Sequence, residues 1–191
     1  MALSFAGNGT ITGLSVGGLP DGCIASADIA SGVIPAGGKI LQVVSATKTD
    51  TATSTSATWT DISGLSVTTG ALASTSSKVL ITVMGSGNGA PGADFASFRV
   101  LRGSTAVGVG GADGSRLQIG STMYENNGSA MDKYCFQFVD EPNSVSAQTY
   151  KVQWRTNTYS STIYLNRSSG DPNSTAGMRS ISTISAMEIS A

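Results

Sequence analysis

Lys151-Val152-Gln153-Trp154-Arg155 alternates polar and apolar side chains, and this pattern decides the fold class. The same period of two recurs in Thr162-Ile-Tyr-Leu-Asn166 and in Ser180-Ile-Ser-Thr-Ile184. Because successive side chains of a β-strand point to opposite faces, the alternation predicts strands with one buried face. Nowhere do apolar residues keep the helical spacing for three turns. The sequence therefore predicts an all-β protein.

Runs rich in Val, Ile, Thr and aromatic residues continue from Lys39 onward, separated by Gly, Ser, Asn and Pro clusters. The predicted strands lie near residues 39–47, 56–62, 65–69, 77–84, 94–102, 105–109, 116–123, 131–139, 149–156, 162–167 and 179–189. The strand at 77–84 is apolar at both odd and even positions, which predicts that both of its faces are covered. This set of short strands predicts a jelly-roll-like β-sandwich.

Residues 1–38 differ from the body that follows at 39–191, because they are rich in glycine and contain no Lys or Arg. We expect these residues to form an extended Gly-rich N-terminal arm. Its short apolar pieces cannot make a core alone and need a partner surface. The arm residues expected to contact that surface are Ile11, Leu14, Val16, Leu19, Ile29, Val33 and Ile34.

Composition excludes several classes of protein. Only 12% of residues are charged and the formal net charge is -1, without the basic face that nucleic acid requires. No apolar run approaches the roughly 20 residues of a membrane-spanning helix. The first residues lack the basic and apolar regions of a secretory signal, so we expect synthesis in a cytoplasm. There Cys23 and Cys135 are predicted to be buried thiols, with a disulfide as the alternative.

Catalytic equipment is sparse, because the chain contains no histidine. This removes Ser-His-Asp and Cys-His triads and histidine zinc sites, and we predict no catalytic residue, no metal site and no cofactor. A glycosidase needs only two carboxylates, and a pair could come from Asp113, Glu125, Asp132, Asp140 and Glu141. Their turn-like settings favour the interpretation that they are solvated turn residues.

Aromatic side chains are the best candidates for contact with a sugar ring. Trp154 and Tyr164 lie within alternating strands and are predicted to be buried. Tyr124 and Tyr159 adjoin polar loops and are the candidate glycan-contacting residues. Trp59, like Trp154, is a candidate for the core or for a subunit contact.

Eight segments, in this order and spacing, resemble fibre or spike structural proteins of tailed bacteriophages, especially cyanophages and other marine phages. They are Gly13-Leu-Ser-Val-Gly-Gly-Leu-Pro-Asp-Gly22, Ala27-Asp-Ile-Ala-Ser-Gly-Val33, Lys39-Ile-Leu-Gln-Val-Val44, Thr60-Asp-Ile-Ser-Gly-Leu-Ser-Val67, Ser76-Ser-Lys-Val-Leu-Ile81, Phe98-Arg-Val-Leu-Arg-Gly-Ser-Thr105, Thr149-Tyr-Lys-Val-Gln-Trp154 and Ser185-Ala-Met-Glu-Ile189. The resemblance covers nearly the whole chain. It implies a homotrimeric virion component with an N-terminal attachment arm and a C-terminal β-sandwich, and it names no catalytic residue.

Three functional hypotheses follow. The first is a trimeric phage fibre or spike that binds other virion proteins through its arm and presents its body to host cell-surface glycan. The second is a capsid decoration (cement) protein that stabilises the head. The third, from a different class, is a polysaccharide-degrading enzyme, which the small domain disfavours because such enzymes use a long sugar groove with paired carboxylates.

Overall fold

A computed structural model of the chain describes residues 4–5, 11–12, 38–89, 95–124, 127–157 and 161–191. The chain divides into two units, Met1–Ala36 and Gly37–Ala191. In the first unit, strands β1 (Ser4–Phe5) and β2 (Ile11–Thr12) pair antiparallel. Among the predicted arm residues, Ile11 belongs to β2. The others lie outside the described residues, namely Leu14, Val16, Leu19, Ile29, Val33 and Ile34.

The described part of the second unit contains strands and no helix. In chain order the strands are β3 (Ile40–Lys48), β4 (Ala52–Ser54), β5 (Thr60–Thr68), β6 (Lys78–Asn88), β7 (Ala96–Arg102), β8 (Thr105–Val107), β9 (Ser121–Met123), β10 (Asp132–Asp140), β11 (Thr149–Thr156), β12 (Ile163–Leu165) and β13 (Ser182–Ile189). They form two antiparallel sheets. The all-β prediction is therefore confirmed.

The strand pairings give a jelly-roll topology. In the first sheet β3 pairs with β13, β13 with β6, and β6 with β10. In the second sheet β5 pairs with β11, β11 with β7, and β7 with β8. The first and last long strands, β3 and β13, are thus neighbours. Along the chain the pair β5–β11 lies within β3–β13, and the pair β6–β10 lies within β5–β11, as in a jelly roll. The short strands β4 and β12 extend the first sheet, and β9 extends the second.

The core lies between the two sheets and is built from the alternate positions of the long strands. Val79, Ile81 and Val83 of β6 are fully buried. From the second sheet, Phe98 stacks on Tyr134 of the first, with ring centroids 3.9 Å apart. Trp154 is buried, as predicted. These side chains leave the aqueous phase on folding, and this burial is the main force that holds the sheets together.

A buried polar group links the two sheets at one end of the core. Asp140 of β10 accepts a hydrogen bond of 2.8 Å from the Tyr150 hydroxyl of β11. The same carboxylate oxygen lies 2.7 Å from Nη1 of Arg102 on β7. Burial and the bond to Asp140 raise the pKa of Tyr150, so its hydroxyl stays protonated and donates.

Gly64 explains one difference from the predicted strands. The segments 56–62 and 65–69 are predicted from the sequence as two separate strands. In the structure, residues 60–62 and 65–68 both belong to the single strand β5. Gly64 adopts a φ of 87°, in the left-handed region that favours glycine. The β5 register against β11 shifts there, between Lys151 and Gln153. The glycine makes a bulge and the strand continues.

The prediction that Cys135 is buried is wrong, because its thiol is free and exposed. Tyr134, Phe136 and Phe138 of β10 point toward the core, and the period of two places Cys135 on the opposite face. Cys23 lies outside the described residues. The predicted cover on both faces of β6 is also absent within the described chain, since Met84 is 48% exposed.

Candidate functional site

The outer face of the second sheet carries a cluster of cations around one tryptophan. Trp59 immediately precedes β5, and the guanidinium carbon of Arg99 lies 4.3 Å from the centre of its indole ring. The guanidinium carbon of Arg155 lies 5.9 Å from the same ring. Both distances fit cation–π contacts, in which a ring face attracts positive charge. Trp59, Arg99 and Arg155 are called the Arg–Trp cluster below.

Strand pairing brings these side chains to one place. Gln153 pairs with Arg99, and Arg155 pairs with Ser97, across β11 and β7. Arg99 and Arg155 are therefore diagonal neighbours on the same face of the sheet. On the other side of β11, Thr60 pairs with Trp154, which places the adjacent Trp59 at the level of Arg155. The antiparallel register assembles the cluster from β7, β11 and the residue that precedes β5.

A hydrogen-bonded chain fixes the position of Arg99. Its Nε and Nη2 atoms donate to Oε1 of Gln153 over 2.9 and 2.7 Å. The Gln153 amide in turn donates to Oδ1 of Asp61 over 2.6 Å. Lys151 forms an ion pair of 2.7 Å with the other oxygen of Asp61. The guanidinium of Arg99 is thereby held against the indole by the sheet.

Arg155 is held by the backbone. Its Nε donates to the carbonyl oxygen of Thr156 and its Nη2 to that of Asn157, each over 2.9 Å. Neither Arg99 nor Arg155 forms an ion pair with a carboxylate of the described residues. Burial, followed by the nearby charge of Arg155, lowers the pKa of Arg99. The guanidinium nevertheless remains charged, because its ordinary pKa is so high.

Asp61 supplies the carboxylate at the end of the hydrogen-bonded chain that runs from Arg99 through Gln153. Hydrogen bonds from Lys151 and Gln153 hold its pKa below its ordinary value. It is therefore ionised at neutral pH and compensates one of the three cations Arg99, Arg155 and Lys151. Two positive charges of this described group thus remain without a carboxylate, in a protein whose net charge is -1.

The outer face of the first sheet has the opposite character. Across its four long strands, Val43 pairs with Met187, Met187 with Leu80, and Leu80 with Val139. Val43 is 55% exposed and Val139 is 50% exposed. The term apolar row is used below for Val43, Met187, Leu80 and Val139.

The next two rows on one side of the apolar row are uncharged as well. They are Ser45, Ser185, Thr82 and Gln137, followed by Thr47, Thr183, Met84 and Cys135. Beyond Cys135, a shallow and mainly apolar groove reaches Ile181 and Lys133. The described side chains therefore leave three uncharged rows of this sheet open to solvent. An open apolar face of this kind is typical of a protein–protein contact.

Of the two predicted glycan-contacting residues, the structure describes Tyr124. Tyr124 follows β9, is 40% exposed, and packs its ring against Phe95 with centroids 4.9 Å apart. Tyr159 lies outside the described residues. Tyr124 stays a prediction.

The acidic candidates that the structure describes each contact a separate partner. Asp113 pairs with Arg116, Asp140 with Arg102, and Glu141 with Lys78. Asp132 accepts a hydrogen bond from the backbone amide of Tyr124. Glu125 is outside the described residues. Across the ranges that the structure describes, no three Cys, Asp or Glu side chains group as a metal site requires.

The sequence interpretation missed the Arg–Trp cluster. Arg155 was considered only as a polar position of an alternating strand, Arg99 only within a segment that carries the resemblance, and Trp59 as a candidate for the core or a subunit contact. The available clue was parity, since both arginines occupy the outward positions of neighbouring strands. Parity alone does not say which strands are neighbours, so the cluster required the strand pairing.

Fold and surfaces together define the class: a jelly-roll β-sandwich with one open apolar sheet face and one outer face that carries a cationic cluster. No protein-family model and no curated protein sequence matches the chain. No helix among the described residues has the length and apolar character needed to cross a membrane.

Proposed function

We propose that the chain is a non-enzymatic structural subunit that assembles with copies of itself through the outer face of its first sheet. The apolar row carries this proposal. Four apolar side chains from four adjacent strands lie in register on a solvent-facing surface, where their burial against a neighbour would be favourable. In an isolated chain these side chains stay partly exposed to water, and contact with another molecule would bury them.

A further copy of the same chain is the occupant that fits this face best. The apolar row and the two rows on one side of it contain no charged side chain, and on its other side Lys78 and Glu141 form an ion pair, so copies that turn this face toward one another meet without net like-charge repulsion. Hydroxyl and amide side chains such as Ser45, Thr82 and Gln137 can hydrogen-bond across such a contact. Only 12% of the residues are charged, which suits a protein that works in an assembly.

The resemblance noted in the sequence supports the more specific proposal. On that basis the chain is a homotrimeric fibre or spike of a tailed bacteriophage, located in the virion after assembly in the host cytoplasm. Residues 1–38 attach it to other virion proteins, and the jelly-roll body projects outward. The alternatives remain a capsid decoration protein and, less favoured, a polysaccharide-degrading enzyme.

Cryo-electron microscopy of a phage particle that carries this chain tests the virion assignment. The fibre proposal predicts trimeric density that projects from the particle. Density over capsid hexamers or quasi-threefold axes, with none projecting from the tail, would favour the decoration protein. For the enzyme alternative, incubation with host capsule or lipopolysaccharide should release no new reducing ends, and their release would overturn the non-enzymatic assignment.

A further inference from the structure

The arginines of this chain divide into two groups. The four outside the Arg–Trp cluster pair with an aspartate: Arg102 with Asp140, Arg116 with Asp113, and Arg167 and Arg179 with Asp171. Arg99 and Arg155 lack such a partner among the described residues and instead lie on one indole ring. The charge of Arg155 contributes to lowering the pKa of Arg99, so the two guanidinium groups repel each other, and a bound anion would relieve this repulsion.

Donor accounting shows what the two arginines can still bind. A guanidinium has five N–H groups. Arg99 uses its Nε and one Nη2 hydrogen on Gln153, and Arg155 uses the equivalent pair on two backbone carbonyls. Each arginine therefore retains both Nη1 hydrogens and one Nη2 hydrogen. That edge of a guanidinium matches the two oxygens of a carboxylate.

The surroundings favour an acidic saccharide over other anions. Asp61 remains 49% exposed, and a carboxylate with bonds to Lys151 and Gln153 can still accept from a sugar hydroxyl. Thr122, which pairs with Ser97 beside Arg155, is exposed on the same face, and its hydroxyl, which donates to the carbonyl oxygen of Ala96, can still accept a hydrogen bond. A polyphosphate or a polyglutamate chain would supply few hydroxyl donors for Asp61.

We propose that the Arg–Trp cluster binds a carboxylate-bearing saccharide. The sugar carboxylate lies between the free edges of Arg99 and Arg155, and its ring hydroxyls reach Asp61 and Thr122. Trp59 and Gln153 keep the two guanidinium groups in place. The proposal does not depend on the assembly of the chain or on its presence in a virion.

Fluorescence titration of the full chain tests the site, because Trp59 is partly exposed while Trp154 is buried. The probes are oligogalacturonate, oligomannuronate and oligosialic acid, with a neutral galacto-oligosaccharide and polyglutamate as comparisons. At least one acidic saccharide should change the tryptophan emission and bind more weakly as NaCl increases. The neutral saccharide should not bind.

Substitutions locate the binding. Arg155→Gln and Arg99→Gln should each weaken binding by about tenfold or more, because each removes a charge-assisted pair of hydrogen bonds. Arg116→Gln is the matched control, since Arg116 is an exposed arginine outside the Arg–Trp cluster and pairs with Asp113. This substitution should leave binding unchanged. Thermal melting of each variant checks the fold, and Arg155→Gln removes hydrogen bonds to the carbonyl oxygens of Thr156 and Asn157 and the contact with Trp59.

Three results would overturn the proposal. One is no binding of any of the three acidic saccharides at millimolar concentration. Another is equal binding by the Arg99→Gln/Arg155→Gln double variant. The third is tighter binding of polyglutamate, which would make the ligand an acidic peptide. The oligomeric mass of the same samples reports on assembly separately, so failure of the site and failure of self-association are distinguishable.

Discussion

Glu188 is a carboxylate that the fold buries near the end of β13, where it is 2% exposed. Gln42 donates to its Oε2 over 2.6 Å, and the backbone amide of Ala73 donates to its Oε1 over 2.7 Å. Gln42 also accepts from the amide of Gly70. Glu188 thus fastens the connection between β5 and β6 to the first sheet.

The pKa of Glu188 predicts an acid dependence of stability. Burial is the largest influence and raises its pKa, but the hydrogen bonds from Gln42 and Ala73, together with the Ser77 hydroxyl, outweigh burial, and the pKa lies below the ordinary 4.5. A lowered pKa in the folded state gives stability that is complete above about pH 4.5 and is lost as pH falls through the folded value. Glu188→Gln should therefore destabilise the protein at pH 7 by about 1 to 3 kcal/mol. The difference from wild type should shrink toward pH 3.

Urea unfolding at several pH values measures this difference. Glu141→Gln is the control, since Glu141 is exposed and pairs only with Lys78 at the surface, where an ion pair contributes little. It should change stability hardly at all at pH 7. A Glu188→Gln variant as stable as wild type at pH 7, or a difference that grows in acid, would contradict the role given to Glu188.

Single residues show which features of the structure can be predicted from the sequence. Burial of Trp154 follows from strand parity. The exposure of Cys135 follows from the same parity, but the general tendency of cysteine to be buried outweighed it in the prediction. Asn166 could not have been foreseen: it is fully buried, donates to the carbonyl oxygens of Lys48 and Asp50, and accepts from Ser182. Those partners are far away in sequence, so only the folded chain reveals them.

At the scale of strands, Gly87 controls how closely β12 approaches β6. A Cβ atom added to Gly87 would collide with the backbone carbonyl oxygen of Tyr164. This carbonyl belongs to a paired strand and cannot move without breaking the pairing at Asn88 and Gly87. Gly87→Ala should lower stability by about 1 to 3 kcal/mol, the usual cost of overpacking.

Thermal melting of Gly87→Ala beside Gly110→Ala checks this prediction. Gly110 has nothing within 4 Å of an added Cβ atom and no left-handed φ, so its substitution should leave the melting temperature close to that of wild type. Equal melting temperatures for the two variants would mean that β12 does not pack on β6 as described.

Most of the long strands could be predicted because their burial follows the period of two. The segments 39–47, 131–139 and 149–156 match β3, β10 and β11 within one residue. The three-residue strand β4 was missed, because Ala52–Ser54 is too short and polar to show a period. The nested order of the pairs depends on contacts between distant segments, and alternation does not encode it.

At the scale of the whole molecule, the apolar row predicts that one added charge will break the assembly. Val43 is half exposed in the single chain, so Val43→Glu should leave the fold of each chain intact. In a contact between copies, an unpaired carboxylate would lose its hydration, and the dissociation constant should rise about 100-fold or more. Ser63→Glu, an exposed position of the second sheet, is the control with the same charge and should assemble like wild type.

Deletion of residues 1–38 separates assembly from attachment. We expect residues 39–191 to fold, because the described core lies within them. We expect them to trimerise, because they also contain the apolar row. The truncated body should be absent from purified virions, since the proposed attachment arm is missing. Incorporation at the wild-type level would mean that the sandwich itself binds the particle, and the decoration-protein alternative would then be preferred.

The molar mass of the full chain in solution tests self-association most directly. Light scattering or mass photometry at micromolar concentration should give a particle of three times the 19.3 kDa chain mass for wild type and for Ser63→Glu. Val43→Glu should give the single-chain mass with an unchanged circular dichroism spectrum. A well-folded wild-type monomer at micromolar concentration would contradict the proposed assembly through the apolar row.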